Sequence, residues 1–123
     1  MVQKDLYQRL GGYDSITAVV DDFMGSMFND KQVGRFYLGH STNSKKKLRQ
    51  LIVEMICEVT GGPAKYIGRD LRTAHAGLGI TESDWQIAMK NLTNTLDKFK
   101  VAQNEKDDLL DVMTNLKSVI VEI

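Results

Sequence analysis

The side chains of this sequence that could perform chemistry are few and far apart. It contains two histidines, His40 and His75, and one cysteine, Cys57. It has no H-x-x-x-H pair, no G-x-S-x-G motif and no phosphate loop with its Lys and Ser/Thr. Because a closed zinc site takes four ligands, these three residues do not form one. Hydrolysis and phosphoryl transfer are therefore not indicated, which leaves a reactive centre supplied by a cofactor that needs one strong protein ligand.

His75 suits that task. It stands in "RDLRTAHAGLGIT", where a short helical segment ends and Gly77 and Gly79 follow. On a helix, the Nδ1–H of His75 could donate to the carbonyl of Leu71, which fixes the tautomer and leaves Nε2 for a metal. Haem iron held by one neutral imidazole is such a centre, and the glycines would let a flat macrocycle approach the backbone. The alternative is a half-buried histidine at a helix end, with the glycines as caps.

The size and composition of the chain limit the classes of protein to which it can belong. The chain has 123 residues, so we expect one domain, residues 1–123. Sixteen basic residues balance sixteen acidic ones, which argues against nucleic acid or an anionic membrane as partner. No apolar run approaches the ~20 residues that span a bilayer, and no secretory signal is recognisable. A single cysteine fits a reducing compartment, so we expect a cytoplasmic protein. We also expect a monomer.

Glycines and one proline divide the chain into segments whose apolar residues recur with a helical period. The segment "LYQRL" predicts a short helix that ends at Gly11-Gly12, after which Asp14 or Ser15 is expected to cap a second helix. The polar segment "STNS" is expected to begin a long helix that ends at Gly61-Gly62-Pro63. The segment from Ala64 to Leu71 has no clear period and is expected to be loop and turn.

The C-terminal half predicts two more helices. Thr81 and Asp84 form a capping pair before a helix whose apolar face is expected to extend to Phe99. The last helix is expected to run without a break through Leu109 to Ile120. With no convincing strand or repeat, the pattern predicts an all-α domain with four substantial helices.

Five ordered segments resemble those of one protein family. They are "LYQRLGGYDSITAVVDDF", "RFYLG", "GGPAKYIGRD", "RTAHAGLGIT" and "ESDWQIAMKNL". Over nearly its whole length the chain resembles the group I truncated haemoglobins. The resemblance implies a truncated globin, a two-over-two helical sandwich around haem b (iron protoporphyrin IX), that reversibly binds O2, CO and NO.

The resemblance also implies roles for individual residues. His75 would be the proximal iron ligand, and Tyr37, or else Phe36, would stack on the porphyrin. Three residues match family positions around the proximal face of the haem: Leu71, Ile80 and Trp85. Tyr66 matches a loop Tyr near the haem propionates. In the run Lys45-Lys46-Lys47, whose plain reading is a solvated face, Lys47 is the candidate to reach a propionate.

The distal wall departs from the family pattern. Counting back from "GGP" places Leu48, Ile52 and Ile56 on one helical face, and Met24 stands where group I members usually carry Tyr. The segment between "FY" and "GGP" is longer than the common pattern, so the alternative register turns Arg49 or Gln50 inward.

In the register counted back from "GGP", the distal wall has no hydrogen-bond donor for dioxygen. A hydrogen bond to bound dioxygen contributes ~1.5–3 kcal/mol in a low-dielectric pocket. Without this hydrogen bond, we expect oxygen release to be ~10–100-fold faster than with it, and the ligand preference to shift from O2 toward CO or NO.

Other interpretations stay open on sequence alone. Met24 could ligate iron through its thioether, and His40 could move in as a second ligand, although packing and a solvated loop are the plainer readings. An NO dioxygenase or a peroxidase-type haem enzyme, with a reductase as partner, is the alternative enzymatic function. A helical interaction module without cofactor is the third reading.

Overall fold

The computed structural model describes residues 5–63, 65–68 and 70–122, and within these ranges it contains helices and no strand. The elements in chain order are α1 (Leu6–Arg9), α2 (Gly12–Asn29), a 3₁₀ helix (Val33–Tyr37), α3 (Thr42–Val59), α4 (Leu71–His75), α5 (Glu82–Lys98), α6 (Gln103–Thr114) and α7 (Lys117–Ile120). The prediction of an all-α fold with four substantial helices is confirmed, because α2, α3, α5 and α6 carry most of the chain.

Two of the predicted helix starts are confirmed by their caps. Ser41 precedes α3, and its hydroxyl accepts a hydrogen bond from the backbone N–H of Ser44. Thr81 precedes α5 and forms a complete capping box with Asp84, in which each side chain accepts from the other residue's backbone N–H. Such caps satisfy N–H groups that have no partner inside the helix.

The start of α2 corrects a prediction. The helix begins at Gly12, and the residue before it is Gly11 rather than a capping Asp14 or Ser15. Gly11 has a φ of +100°, and a Cβ at this position would lie 2.5 Å from the hydroxyl oxygen of Ser15. The chain therefore turns from α1 directly into α2 through a backbone conformation that favours glycine.

Three further boundaries differ from the predictions. The last helix is broken, because α6 ends at Thr114 and α7 starts only at Lys117. Phe99 lies just beyond α5 and is 44% exposed, so it does not extend that helix's apolar face. Residues 65–68 are irregular as expected, but Leu71 begins α4 because Asp70 caps it; Ala64 lies outside the described residues.

The core forms where α2 packs against both α3 and α5. Val20, Val53 and Leu96 are completely buried there, and Leu109 of α6 joins them. None of the helices in the described ranges is long and apolar enough to cross a bilayer. This arrangement leaves a space between the long helices, which α4 and the 3₁₀ helix border.

Candidate functional site

A cavity of about 430 Å³ lies between the long helices, the 3₁₀ helix and α4. Its walls are mainly apolar side chains, which suits a large flat apolar ligand. The structure places nearly all of the predicted site residues on its lining: Met24, Phe36, Tyr37, Leu48, Ile52, Ile56, Tyr66, Leu71, His75, Ile80 and Trp85.

His75 is the last residue of α4 and reaches the cavity in a defined orientation. Its Nδ1 lies 2.7 Å from the carbonyl oxygen of Leu71, which confirms the predicted hydrogen bond. Asp70 starts the helix by accepting from the N–H of Thr73 at 3.1 Å. Among the described residues, none forms a hydrogen bond with Nε2 of His75. A neutral imidazole held in this way presents one free nitrogen lone pair to a ligand.

The wall formed by α2 and α3 is apolar. Met24 is 2% exposed, and Leu48 and Ile52 line the cavity beside it. The two polar residues of the alternative register point elsewhere. The Nε of Arg49 lies 3.1 Å from an oxygen of Asp21, and Gln50 donates to the hydroxyl of Tyr13 at 2.8 Å. The register counted back from Gly61 is therefore the one that the structure adopts.

The 3₁₀ helix places an aromatic pair at one side of the cavity. Tyr37 contacts Phe28 edge to face, with ring centroids 4.9 Å apart, and burial raises the pKa of its hydroxyl. The guanidinium of Arg35 lies 4.2 Å from the ring centre of Phe36. These contacts fix both rings, because edge-to-face and cation–π contacts have defined geometries.

Asp84 and Arg35 form an ion pair that the sequence did not reveal. Asp84 is 2% exposed, lines the cavity and accepts from both terminal nitrogens of Arg35, at 3.0 and 2.8 Å. Gln32 donates to the same carboxylate at 2.7 Å. The hydrogen bonds from Arg35 hold the pKa of Asp84 far below its usual range, against the opposing effect of burial. The pair ties the 3₁₀ helix to the start of α5.

The polar residues His40 and Lys47 are both exposed, but only His40 lines the cavity. His40 lines the cavity but is exposed, and its Nδ1 lies 2.7 Å from the hydroxyl oxygen of Ser44. Lys47 is exposed and does not line the cavity, so its contact with a propionate stays a prediction. Cys57 is fully buried away from the cavity, and burial raises its pKa, as expected for an apolar packing residue.

Sequence reasoning missed several apolar residues of the cavity. Leu51 and Met55 lie on α3, and Ala88 and Met89 on α5. Each lies three or four residues from a predicted site residue on the same helix, so the helical period itself was the available signal.

The chemistry of these residues fits haem better than a metal ion held by the protein alone. In the described part of the chain no group of three or more His, Cys, Asp or Glu side chains could hold a metal ion. The cavity instead offers one oriented imidazole, aromatic rings and aliphatic walls. A macrocycle that already supplies four nitrogen ligands needs little more than this from the protein.

Comparison with known proteins gives consistent relatives. A family model described as bacterial-like globin matches residues 5–122. A group 1 truncated hemoglobin of Nostoc commune is 27% identical over 115 residues, which cover 94% of this chain and 95% of the relative. Another, of Mycolicibacterium paratuberculosis, is 27% identical over 111 residues, which cover 90% of this chain and 79% of the relative.

Solved structures show the same likeness in three dimensions. The truncated hemoglobin from Tetrahymena pyriformis in its Fe(III) form matches with a TM-score of 0.90 at 20% identity, covering 98% of this chain and 100% of that one. The 2/2 hemoglobin from Synechococcus, in the cyanomet state and with covalently attached heme, matches with a TM-score of 0.83 at 25% identity. That match covers 95% of this chain and 98% of the other.

Proposed function

The chain belongs to the bacterial-like globin family, and we propose that it holds haem b through His75 and reversibly binds O2, CO and NO. The predicted fold, a two-over-two truncated globin, is confirmed by the structural matches. Membership of the family makes the chain a haem-binding globin that binds small gaseous ligands such as O2.

The hydrogen bond between His75 and Leu71 is the observation that carries the proposal. It occupies Nδ1, so Nε2 is the nitrogen available for iron. The half-buried imidazole also lines the large apolar cavity. A histidine that only ended a helix would not need this orientation.

The other residues that line the cavity would contact the haem or shield it from water. When bound, haem supplies the iron that binds the gas. Trp85 and Ile80 would support the ring near His75, and Phe36 and Tyr37 would contact its face or edge. Tyr66 and Lys47 are the candidates for the propionate side. Ile56, Ile52 and Leu48 would exclude water from the gas-binding side, which protects a ferrous centre from oxidation.

The gas preference follows from the distal wall. Since Met24, Leu48 and Ile52 carry no N–H or O–H donor, dioxygen gains no hydrogen bond from these side chains. CO and NO bind to iron with less charge separation, so the lack of a hydrogen bond weakens their binding less than it weakens the binding of dioxygen. We therefore propose a weak oxygen binder with fast oxygen release, rather than an enzyme that must retain oxygen for a reaction with NO.

Four further parts of the proposal concern the protein as a whole. We propose that residues 1–123 act as one domain, as a monomer, in the cytoplasm, with a reductase that returns oxidised iron to the ferrous state. One hydrophobic core that includes both Leu6 and Met113 supports the single domain.

The absorption spectrum of the dithionite-reduced protein, recorded with and without CO, tests this function. We expect a Soret band in the purified or haem-loaded protein, and a sharp shift of that band when CO is added. A colourless protein that gives no Soret band after haem addition would show that the cavity has another use.

A further inference from the structure

The segment after α7 is bound to the segment that follows His75. Glu122 accepts hydrogen bonds from two backbone N–H groups, from Gly77 to Oε2 at 3.0 Å and from Gly79 to Oε1 at 2.8 Å. Its own backbone N–H donates to the carbonyl of Ile80 at 2.9 Å. Both oxygens of one carboxylate are thus used on the residues immediately beyond the candidate iron ligand.

The segment that receives these bonds has little regular structure of its own. Gly77 and Gly79 have φ values of +78° and +71°, in the left-handed region where glycine has a wide choice of conformations. Within the segment, the one turn bond runs from the N–H of Leu78 to the carbonyl of His75, at a long 3.4 Å. Its conformation therefore depends on partners elsewhere in the chain.

Helix α4 itself also depends on the C-terminal segment. It has only five residues, too few for a helix to be stable without tertiary contacts. It packs against α7, and α7 is in turn tied to α5 by the ion pair between Lys117 and Glu82 at 2.6 Å. The backbone that carries His75 therefore rests on residues 117–122.

The imidazole of His75 is not closely packed on every side. A second cavity of about 300 Å³ lies between α4 and residues 118–122, and both His75 and Glu122 line it. His75 thus has open space on two sides, toward the main cavity and toward α7. Hydrogen bonds therefore add to the packing of α4 against α7 in holding the residues around His75.

We propose that Glu122 is a positioning residue for the iron ligand: its carboxylate holds the amides of Gly77 and Gly79 and thereby fixes the direction in which His75 faces the main cavity. This inference rests on the proposed function, because the direction matters to haem only if His75 binds the iron. It assigns to the C-terminal segment a control over the strength of the iron–imidazole bond, which in turn affects gas affinity.

The substitution Glu122→Gln tests the role of the carboxylate with little change of shape. Glutamine keeps one acceptor oxygen but places an NH2 donor against the second backbone N–H. Glu105→Gln is the matched control, since Glu105 pairs with Arg9 instead of with the glycine segment.

Two measurements on the haem-loaded chain read the effect. The first is amide hydrogen exchange at Gly77 and Gly79, followed by NMR in the diamagnetic CO complex. We expect exchange about threefold to tenfold faster in Glu122→Gln than in the wild type, the order expected for losing part of a charge-assisted pair in solvent. The second is the iron–imidazole stretching band in the resonance Raman spectrum of the ferrous protein, which should shift or broaden. Both should stay unchanged in Glu105→Gln.

The outcomes separate this inference from the function on which it rests. Unchanged exchange, or faster exchange with an unchanged iron–imidazole band, in a variant with a normal Soret band would overturn the role of Glu122 and leave the globin function intact. A wild-type protein that takes up no haem would overturn both.

Discussion

The Nδ1 atom of His75 lies 2.7 Å from the carbonyl oxygen of Leu71, one turn earlier in a helix of only five residues. The proposed role of the short helix rests on this contact. It selects the tautomer with the proton on Nδ1 and leaves Nε2 with a lone pair, on a residue that lines the apolar cavity.

Met24→Tyr should convert the distal wall from apolar to hydrogen-bonding. Met24 is buried on the cavity wall, and a tyrosine hydroxyl there would donate to bound dioxygen. A bond of ~1.5–3 kcal/mol should slow oxygen dissociation by ~10–100-fold in stopped-flow measurements. Met24→Phe, which adds the ring without the hydroxyl, is the control and should leave oxygen release fast. Equal slowing in both variants would show that bulk, and not the hydrogen bond, controls release.

His40 should not bind the iron in the resting protein. Its side chain is exposed, and the contact between its Nδ1 and the hydroxyl of Ser44 ties the ring to the first turn of α3. The ferric absorption spectrum should therefore be high-spin and the same in the wild type and in His40→Ala. A low-spin ferric spectrum that becomes high-spin in His40→Ala would instead identify His40 as a sixth ligand.

Asp84→Asn should destabilise the fold and alter its dependence on pH. The substitution removes the charge that pairs with Arg35 and should lower the free energy of unfolding by about 2–3 kcal/mol. Because the pKa of Asp84 is lower in the folded than in the unfolded protein, its contribution is complete above about pH 5 and is lost as the pH falls toward the folded value.

Urea titrations at several pH values check both effects of Asp84→Asn. The wild type should lose more stability than Asp84→Asn between pH 5 and pH 3, roughly the range over which an unfolded Asp titrates. Asp108→Asn is a control, since Asp108 forms an ion pair with Arg9 at the surface, with half of its side chain exposed. Parallel stability curves for the wild type and Asp84→Asn would show that the Arg35 pair contributes little.

Local signals in the sequence predicted much of the fold. The Ser41 cap, the Thr81–Asp84 capping box and the hydrogen bond of His75 each depend on residues three or four positions apart, so the pattern contains the whole interaction. The distal register was predicted by counting along one helix from a glycine pair. Because an α-helix has a constant number of residues per turn, counting from one fixed residue predicts which side chains share a face over several turns.

Interactions between distant segments could not be predicted in the same way. Arg35 and Asp84 are 49 residues apart, and Gly77 and Glu122 are 45 apart. No local pattern in the sequence connects the two members of either pair, because the packing of whole helices brings them together. The break after Thr114 has a similar cause, since α7 turns away from α6 to pack against α4.

The substitution His75→Gly, examined by absorption spectroscopy with and without added imidazole, tests the central claim most directly. If His75 ligates the iron, the ferrous variant should lose the wild-type spectrum or fail to retain haem, and free imidazole should restore the wild-type bands. His40→Gly should behave as the wild type. A His75→Gly protein that retains haem with an unaltered spectrum in the absence of imidazole would contradict the account.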